Sequence, residues 1–138
     1  MRKMKTFYLP AIFLASCAIF LTACGTSSKL PEGFDEEKVQ EQAIRDIDLA
    51  SSNNYEGWAD RFQEDLKASL TEDSYQQYLD LLGEKGEFQE YGKCAFVGQE
   101  QDGKNYAACV MIVEYEKGDL QYTVGYNEDM ELVQFFAK

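Results

Sequence analysis

The sequence predicts an α+β domain in which three helices precede and pack on a four-stranded antiparallel meander. Two observations predict it. Apolar residues recur about every 3.6 positions up to Gly86 and about every second position after it. The second half is also punctuated by turn signals at Asp102-Gly103, Lys117-Gly118 and Asn127-Glu128-Asp129. A third observation sets the limits of the domain. The head of the chain is basic, then apolar, and ends at a cysteine. This assigns residues 1–23 to a leader, 24–34 to a tether and 35–138 to the folded body.

Residues 1–5 (MRKMK) form a basic start, and Thr6 to Leu21 an apolar stretch interrupted by Pro10. Small residues then lead to a cysteine in Leu21-Thr22-Ala23-Cys24. That order describes a secretory signal, and its end resembles the bacterial lipobox. The resemblance implies a diacylglyceryl group on the Cys24 thiol and cleavage ahead of it. Leu14-Ala15-Ser16-Cys17 also fits the box, but cutting there would leave the apolar Ala18 to Leu21 at the head of the mature chain. Cys24 is followed instead by a polar tether, Gly25 to Gly33, at most about 30 Å long when extended. The other alternative is an uncleaved anchor. The apolar run, about 16–18 residues, falls short of the roughly 20 that a spanning helix needs. Two acyl chains hold a protein to a bilayer stably where one does not. The expected place is therefore the outer side of the cell membrane, with diacylglyceryl-Cys24 as the membrane contact.

Asp35 is a suitable N-cap for the first helix, with Glu36 and Glu37 in its first turn. Its stripe is Val39, Ala43, Ile44, Ile47 and Ala50, and Ser51-Ser52-Asn53-Asn54 ends it. A second stripe runs Tyr55, Trp58, Phe62, Leu66, with Asn54 as its cap. Thr71 caps a third, carrying Tyr75, Tyr78, Leu79 and Leu82, with Gly83 suited to C′. The strands follow as Glu87 to Glu100, bent or bulged at Gly92, then Asn105 to Glu116, Leu120 to Tyr126 and Glu131 to Ala137. A register that sets Val113 against Tyr122 and Val124 against Val133 makes one sheet face continuously apolar. The other face keeps Val110, Ile112, Leu132 and Phe136.

The 138-residue chain carries a net charge of −12, and its first 23 residues hold Arg2, Lys3, Lys5 and no acid. Losing those three positive charges takes the mature chain to −15, which argues against nucleic acid as a partner. There is no histidine, so the commonest general base and the commonest metal ligand are both missing. No EF-hand, HExxH, P-loop or G-x-S-x-G pattern is present. No cofactor or metal is expected.

Cys94 and Cys109 are the two cysteines of the body, and an exported chain permits a disulfide between them. A four-residue loop, Glu100 to Gly103, would set them directly opposite. A two-residue Asp102-Gly103 turn would set Cys109 against Phe96. Two buried free thiols are the alternative.

Asn54-Tyr55-Glu56-Gly57, the Phe62 to Leu70 segment, Leu81-Leu82-Gly83 with Phe88, and Tyr126-Asn127-Glu128-Asp129 before Leu132 occur in this order. Together they resemble the bacterial domain-of-unknown-function family 3887, found in lipoproteins and other exported proteins of Gram-positive bacteria. Met130 stands where that family leads one to expect a glycine. The resemblance implies a cystatin-like, nuclear transport factor 2-like cone: a curved sheet wrapping the first helix, with a pocket at its wide end.

Candidate lining residues for such a pocket are Trp58, Met111, Tyr115, Tyr122 and Tyr126. Isomerases of this fold pair a carboxylate base with a tyrosine. The register above puts no carboxylate on the inward face, because Glu114 and Glu116 fall on the other side. Three functions follow in order. The first is a non-catalytic module binding a small-molecule or protein ligand. The second is a homo-oligomer assembled through the outer sheet face. The third is an acid–base enzyme, which needs a buried Asp or Glu within reach of a Tyr at the end of a cavity.

Overall fold

The computed structural model describes residues 12–15, 26–27 and 29–138. The Leu21, Thr22, Ala23 and Cys24 lipobox, and the alternative Cys17, lie outside the described residues.

Helix α1 (Glu36–Ser51) starts where its cap predicts, with an Asp35 carboxylate oxygen accepting from the Lys38 amide at 3.1 Å. It buries Val39, Ala43, Asp46, Ile47 and Ala50. Four of these belong to the expected stripe; Asp46 is an unexpected buried charge. Asn54 caps α2 (Tyr55–Asp60) by accepting from the Gly57 amide at 2.9 Å.

The second helix is shorter than its stripe. The chain leaves α2 after Asp60 because Arg61 and Gln63 are taken into the sheet: Leu132 N donates to Arg61 O at 2.8 Å, and Gln63 N donates to Leu132 O at 2.9 Å. A helix of under two turns has little cooperativity to resist that competition. A 3-10 turn, Glu64–Ser69, carries the rest. Helix α3 (Glu72–Lys85) is capped by Thr71 as expected but runs through Gly83. Gly86, at φ 83° and ψ −154°, supplies the stop instead, in a conformation essentially reserved for glycine, its N–H reaching Leu82 O at 3.0 Å.

The second half is the predicted meander: β3 (Phe88–Gln101), β4 (Lys104–Tyr115), β5 (Gly118–Tyr126) and β6 (Leu132–Ala137), all antiparallel. Two short strands lengthen it to six. β1 (Ile12–Ala15) pairs with β6, and β2 (Thr26–Ser27) with β3, giving the order β1-β6-β5-β4-β3-β2. The segment read as leader thus contributes an edge strand that its composition did not suggest.

The expected faces hold while the register moves by two. Val113 opposes Leu120 and Met111 opposes Tyr122 because the β4–β5 turn is Glu116-Lys117 rather than Lys117-Gly118. Val124 opposes Phe135 rather than Val133. An even slip returns every side chain to its own face, so the apolar pattern alone cannot choose between such registers. An irregularity between Gly125 and Tyr126 sets Leu132 against Tyr126, inside the core. Leu132 therefore leaves the proposed outer patch. Val133 packs with Tyr106 and Leu66, while Val110, Ile112 and Phe136 are half-buried. β3 is irregular between Tyr91 and Cys94, as its glycine suggested. At Gly92 a Cβ would come within 2.9 Å of Ile112 O.

Asp102 and Gly103 both have positive φ, 53° and 79°, in a two-residue turn closed by Gln101 and Lys104. Cys109 therefore faces Phe96, and Cys94 faces Met111. The two cysteines are nonetheless bridged on the diagonal, with Cα atoms 6.4 Å apart, inside the range a disulfide spans. Replacing both by alanine is expected to lower stability by about 3 kcal/mol, the value for a loop of this length. The urea midpoint should fall with little change in slope, and reductant should shift the unmodified protein by the same amount.

The core lies between the helices and the sheet. Phe135 is its hub, meeting Trp58, Tyr78 and Tyr122 edge-on at centroid distances of 5.6, 5.7 and 5.8 Å. These geometries suit the ring quadrupoles.

Candidate functional site

Two polar assemblies hang from α1. Asp46 and Asp48 are two residues apart and so point to different sides of the helix.

Asp46 points inward and is 1% exposed. Its Oδ1 accepts from Arg61 Nε at 2.8 Å. Its Oδ2 accepts from Arg61 Nη2 at 3.2 Å, from the Tyr126 hydroxyl at 2.6 Å and from Gln42 Nε2 at 3.3 Å. Arg61 Nη2 also donates to Met130 O at 2.8 Å. The knot joins α1, the end of α2 and the β5–β6 turn. Burial works against the charge on Arg61, but the hydrogen bond and charge of Asp46 outweigh it and raise its pKa. Burial, followed by the Asp46 charge, holds the Tyr126 hydroxyl well above the usual tyrosine range. A buried carboxylate does therefore touch a tyrosine, but a two-pronged guanidinium occupies it. Neither Asp46 nor Tyr126 lines a described cavity.

Asp48 points to the other side, into a cavity of about 250 Å³ lined by Ile47, Asp48, Ser51, Leu82, Gly86, Phe88, Tyr91 and Tyr115. It forms where the C-terminal half of α1 and the end of α3 meet the start of β3. The Tyr91 hydroxyl donates to Asp48 Oδ1. Burial, then that bond to Asp48, pushes the Tyr91 pKa well up. Phe88 sits against Tyr91 and Tyr115 at centroid distances of 4.8 and 6.2 Å. It is 50% exposed, the one large hydrophobic side chain left so among the described residues.

A line of hydroxyls runs from this cavity into the core. Tyr115 and Tyr122 are 2.8 Å apart, Tyr122 and Tyr78 2.8 Å, and Tyr78 and Ser51 3.2 Å. Ser51 donates to Ile47 O at 2.7 Å. Each hydroxyl has one proton, so the Ser51 bond fixes the rest: Tyr78 donates to Ser51, Tyr122 to Tyr78 and Tyr115 to Tyr122. Burial raises the pKa of all three tyrosines.

Of the five expected lining residues, only Tyr115 lines a described cavity. Trp58, Met111, Tyr122 and Tyr126 are packed in the core at 0–1% exposure, because the aromatic rings from α2 and α3 fill the space the cone would have left. The inward sheet face carries no carboxylate, as expected, with Glu114 exposed between buried Val113 and Tyr115. The carboxylates near the tyrosines come instead from α1. Asp46 was findable: it lies three residues after Ala43 and four before Ala50, on the buried stripe. Tyr91 and Phe88 carried no such signal, because their placement depends on the irregular start of β3.

A second hollow of about 280 Å³ lies beside the β3–β4 and β5–β6 turns and includes Gln63, Lys104, Asn105 and Asn127. Asn127 organises it, its Oδ1 accepting from the Asp129 and Glu131 amides at 3.0 and 2.9 Å. Met130, in place of the expected glycine, takes a left-handed φ of 61° there. No cluster of metal-ligating residues occurs among the described residues. No helix among them is long and apolar enough to cross a membrane.

A family model described as a protein of unknown function, DUF3887, matches residues 46–135, a span that contains every residue lining the Asp48 cavity. No curated protein matches the chain. Among solved structures, the NMR structure of a protein from Ruminococcus gnavus ATCC 29149 is similar, with 49% sequence identity and a TM-score of 0.75. The match covers 80% of this chain and 96% of that one.

Proposed function

Because the chain belongs to the DUF3887 family of proteins of unknown function, we propose a role from its own residues: a lipid-anchored, extracytoplasmic domain that binds a small ligand without turning it over. The observation that carries the binding role is the Asp48 cavity, where a carboxylate, two tyrosines and a half-exposed phenylalanine converge beside an otherwise filled core. A small, largely preformed hollow with a few convergent polar groups is the usual form of a ligand site. The position of the cavity, between the sheet and the helix packed on it, is where a nuclear transport factor 2-like or cystatin-like cone would open.

Binding without chemistry is favoured by the state of the groups present. The Tyr115 and Tyr91 protons are already donated to Tyr122 and Asp48. The buried carboxylate of Asp46 is held by Arg61. The chain has no histidine to shuttle protons.

The anchoring part rests on Leu21-Thr22-Ala23-Cys24 and the polar tether after it. Cys24→Ser is expected to abolish precursor cleavage and palmitate incorporation together, read by gel mobility and labelling in the producing cells. Continued labelling of that variant would refute the anchor. The binding part is read on the domain itself: a ligand should perturb the amides of Asp48, Phe88 and Tyr91 before those around Asp46. A ligand that moved only the Asn127 hollow would relocate the site.

A further inference from the structure

We infer that the Asp48 cavity is built for a small aliphatic ammonium cation carrying N–H donors. The inference rests on the binding role proposed above and specifies its ligand class.

The polar lining only accepts. Ser51 donates to Ile47 O and Tyr115 to Tyr122, while Tyr91 donates to Asp48. Gly86 N–H is held by Leu82 O. What these groups still offer the cavity is lone pairs: those on the Tyr115 and Tyr91 oxygens and on the second carboxylate oxygen of Asp48. A neutral acceptor or an anion would find no proton there. A ligand with N–H donors would find three oxygens.

Asp48 is exposed and hydrogen-bonded to Tyr91 but carries no ion pair. Among the described residues the ion pairs are Arg61–Asp46, Lys67–Asp60 and Lys67–Glu64. Lys85, adjacent to the lining residue Gly86, makes no ion pair with Asp48, and its Nζ lies 3.2 Å from where a Gly118 Cβ would stand. The net charge of −12 adds a long-range preference for cations.

The apolar part of the lining suits the same ligand. Phe88, Tyr91 and Tyr115 form a three-ring cluster with interplanar angles of 55° and 79°. Aromatic faces attract ammonium groups, and Tyr and Phe both serve. Half-exposure of a phenylalanine is unfavourable in the empty protein; a bound alkyl chain would cover it. At about 250 Å³ the cavity admits a headgroup and a few methylenes.

The test uses three probes of one chain length on the purified domain: n-butylammonium, n-butyltrimethylammonium and n-butanol, titrated by calorimetry with amide NMR. Butylammonium is expected to bind tightest, since it alone combines charge with N–H donors. Asp48→Asn should weaken it about tenfold. Phe88→Leu, which keeps an apolar side chain at a half-exposed position but removes the ring, should weaken it about threefold. Tyr115→Phe should weaken butylammonium more than the trimethylated probe, because only the former uses the hydroxyl oxygen.

Equal affinity for butanol would overturn the cation inference while leaving a binding cavity in place. Trimethylated binding as tight as that of the primary amine would overturn the acceptor argument. Butylammonium binding that moved only amides remote from Asp48 would overturn both the ligand class and the assigned cavity.

Discussion

Asp46→Ala is expected to destabilise the domain by about 3–5 kcal/mol, the range for breaking a buried ion pair from one side. Three losses combine. Arg61 keeps its charge, 28% exposed, and loses its carboxylate. The Tyr126 hydroxyl, fully buried, loses its acceptor. Gln42 loses its contact as well. Against a total typical of small domains, about 5–15 kcal/mol, such a loss leaves a marginal protein. The double variant Asp46→Leu with Arg61→Met should recover part of it, since removing both charges leaves no orphan. Urea midpoints for the two singles and the double give the coupling. An Asp46→Ala midpoint within 1 kcal/mol of the parent would mean that the knot is not formed in solution.

The second large effect is alkaline. Tyr78, Tyr122 and Tyr126 are fully buried, and burial raises the pKa of each above 10. In the unfolded chain they ionise near pH 10. Below that pH both states hold the protons and stability does not respond. Above it the folded state retains protons that the unfolded state releases, so stability falls as pH rises. Each such tyrosine contributes a slope of about 1.4 kcal/mol per pH unit, and three together about 4. Unfolding is therefore expected close to pH 12, as one cooperative step. Tyrosinate absorbance near 295 nm should rise together with loss of far-ultraviolet dichroism. A gradual titration of all nine tyrosines ahead of unfolding would contradict the hydroxyl line.

Much of this fold was legible because its signals are local. Asp35, Asn54 and Thr71 cap helices in the structure as their side chains predict. Asp102-Gly103 makes the two-residue turn its dipeptide specifies, and the change of period at Gly86 marks the helix-to-sheet boundary. What failed was set by partners distant in sequence. The second helix ends early because Leu132, seventy residues on, takes the backbone of Arg61 and Gln63. Both sheet registers slipped by two for want of any energetic difference readable in an alternating pattern. The site failed for a related reason. Aromatic residues on an inward face look alike in sequence whether they line a hollow or fill it, and only packing from α2 and α3 decides that Tyr115 lines and Tyr122 fills.

The pairing of Ile12–Ala15 with the outer edge of β6 bears on when this molecule becomes sociable. On the lipid-anchor proposal, the peptidase that cuts before Cys24 also strips that rung, and the main chain of Phe135 to Ala137 is left as an unsheathed border. Precursor and mature form would then differ in their appetite for an added strand, with export rather than synthesis setting the moment of exposure.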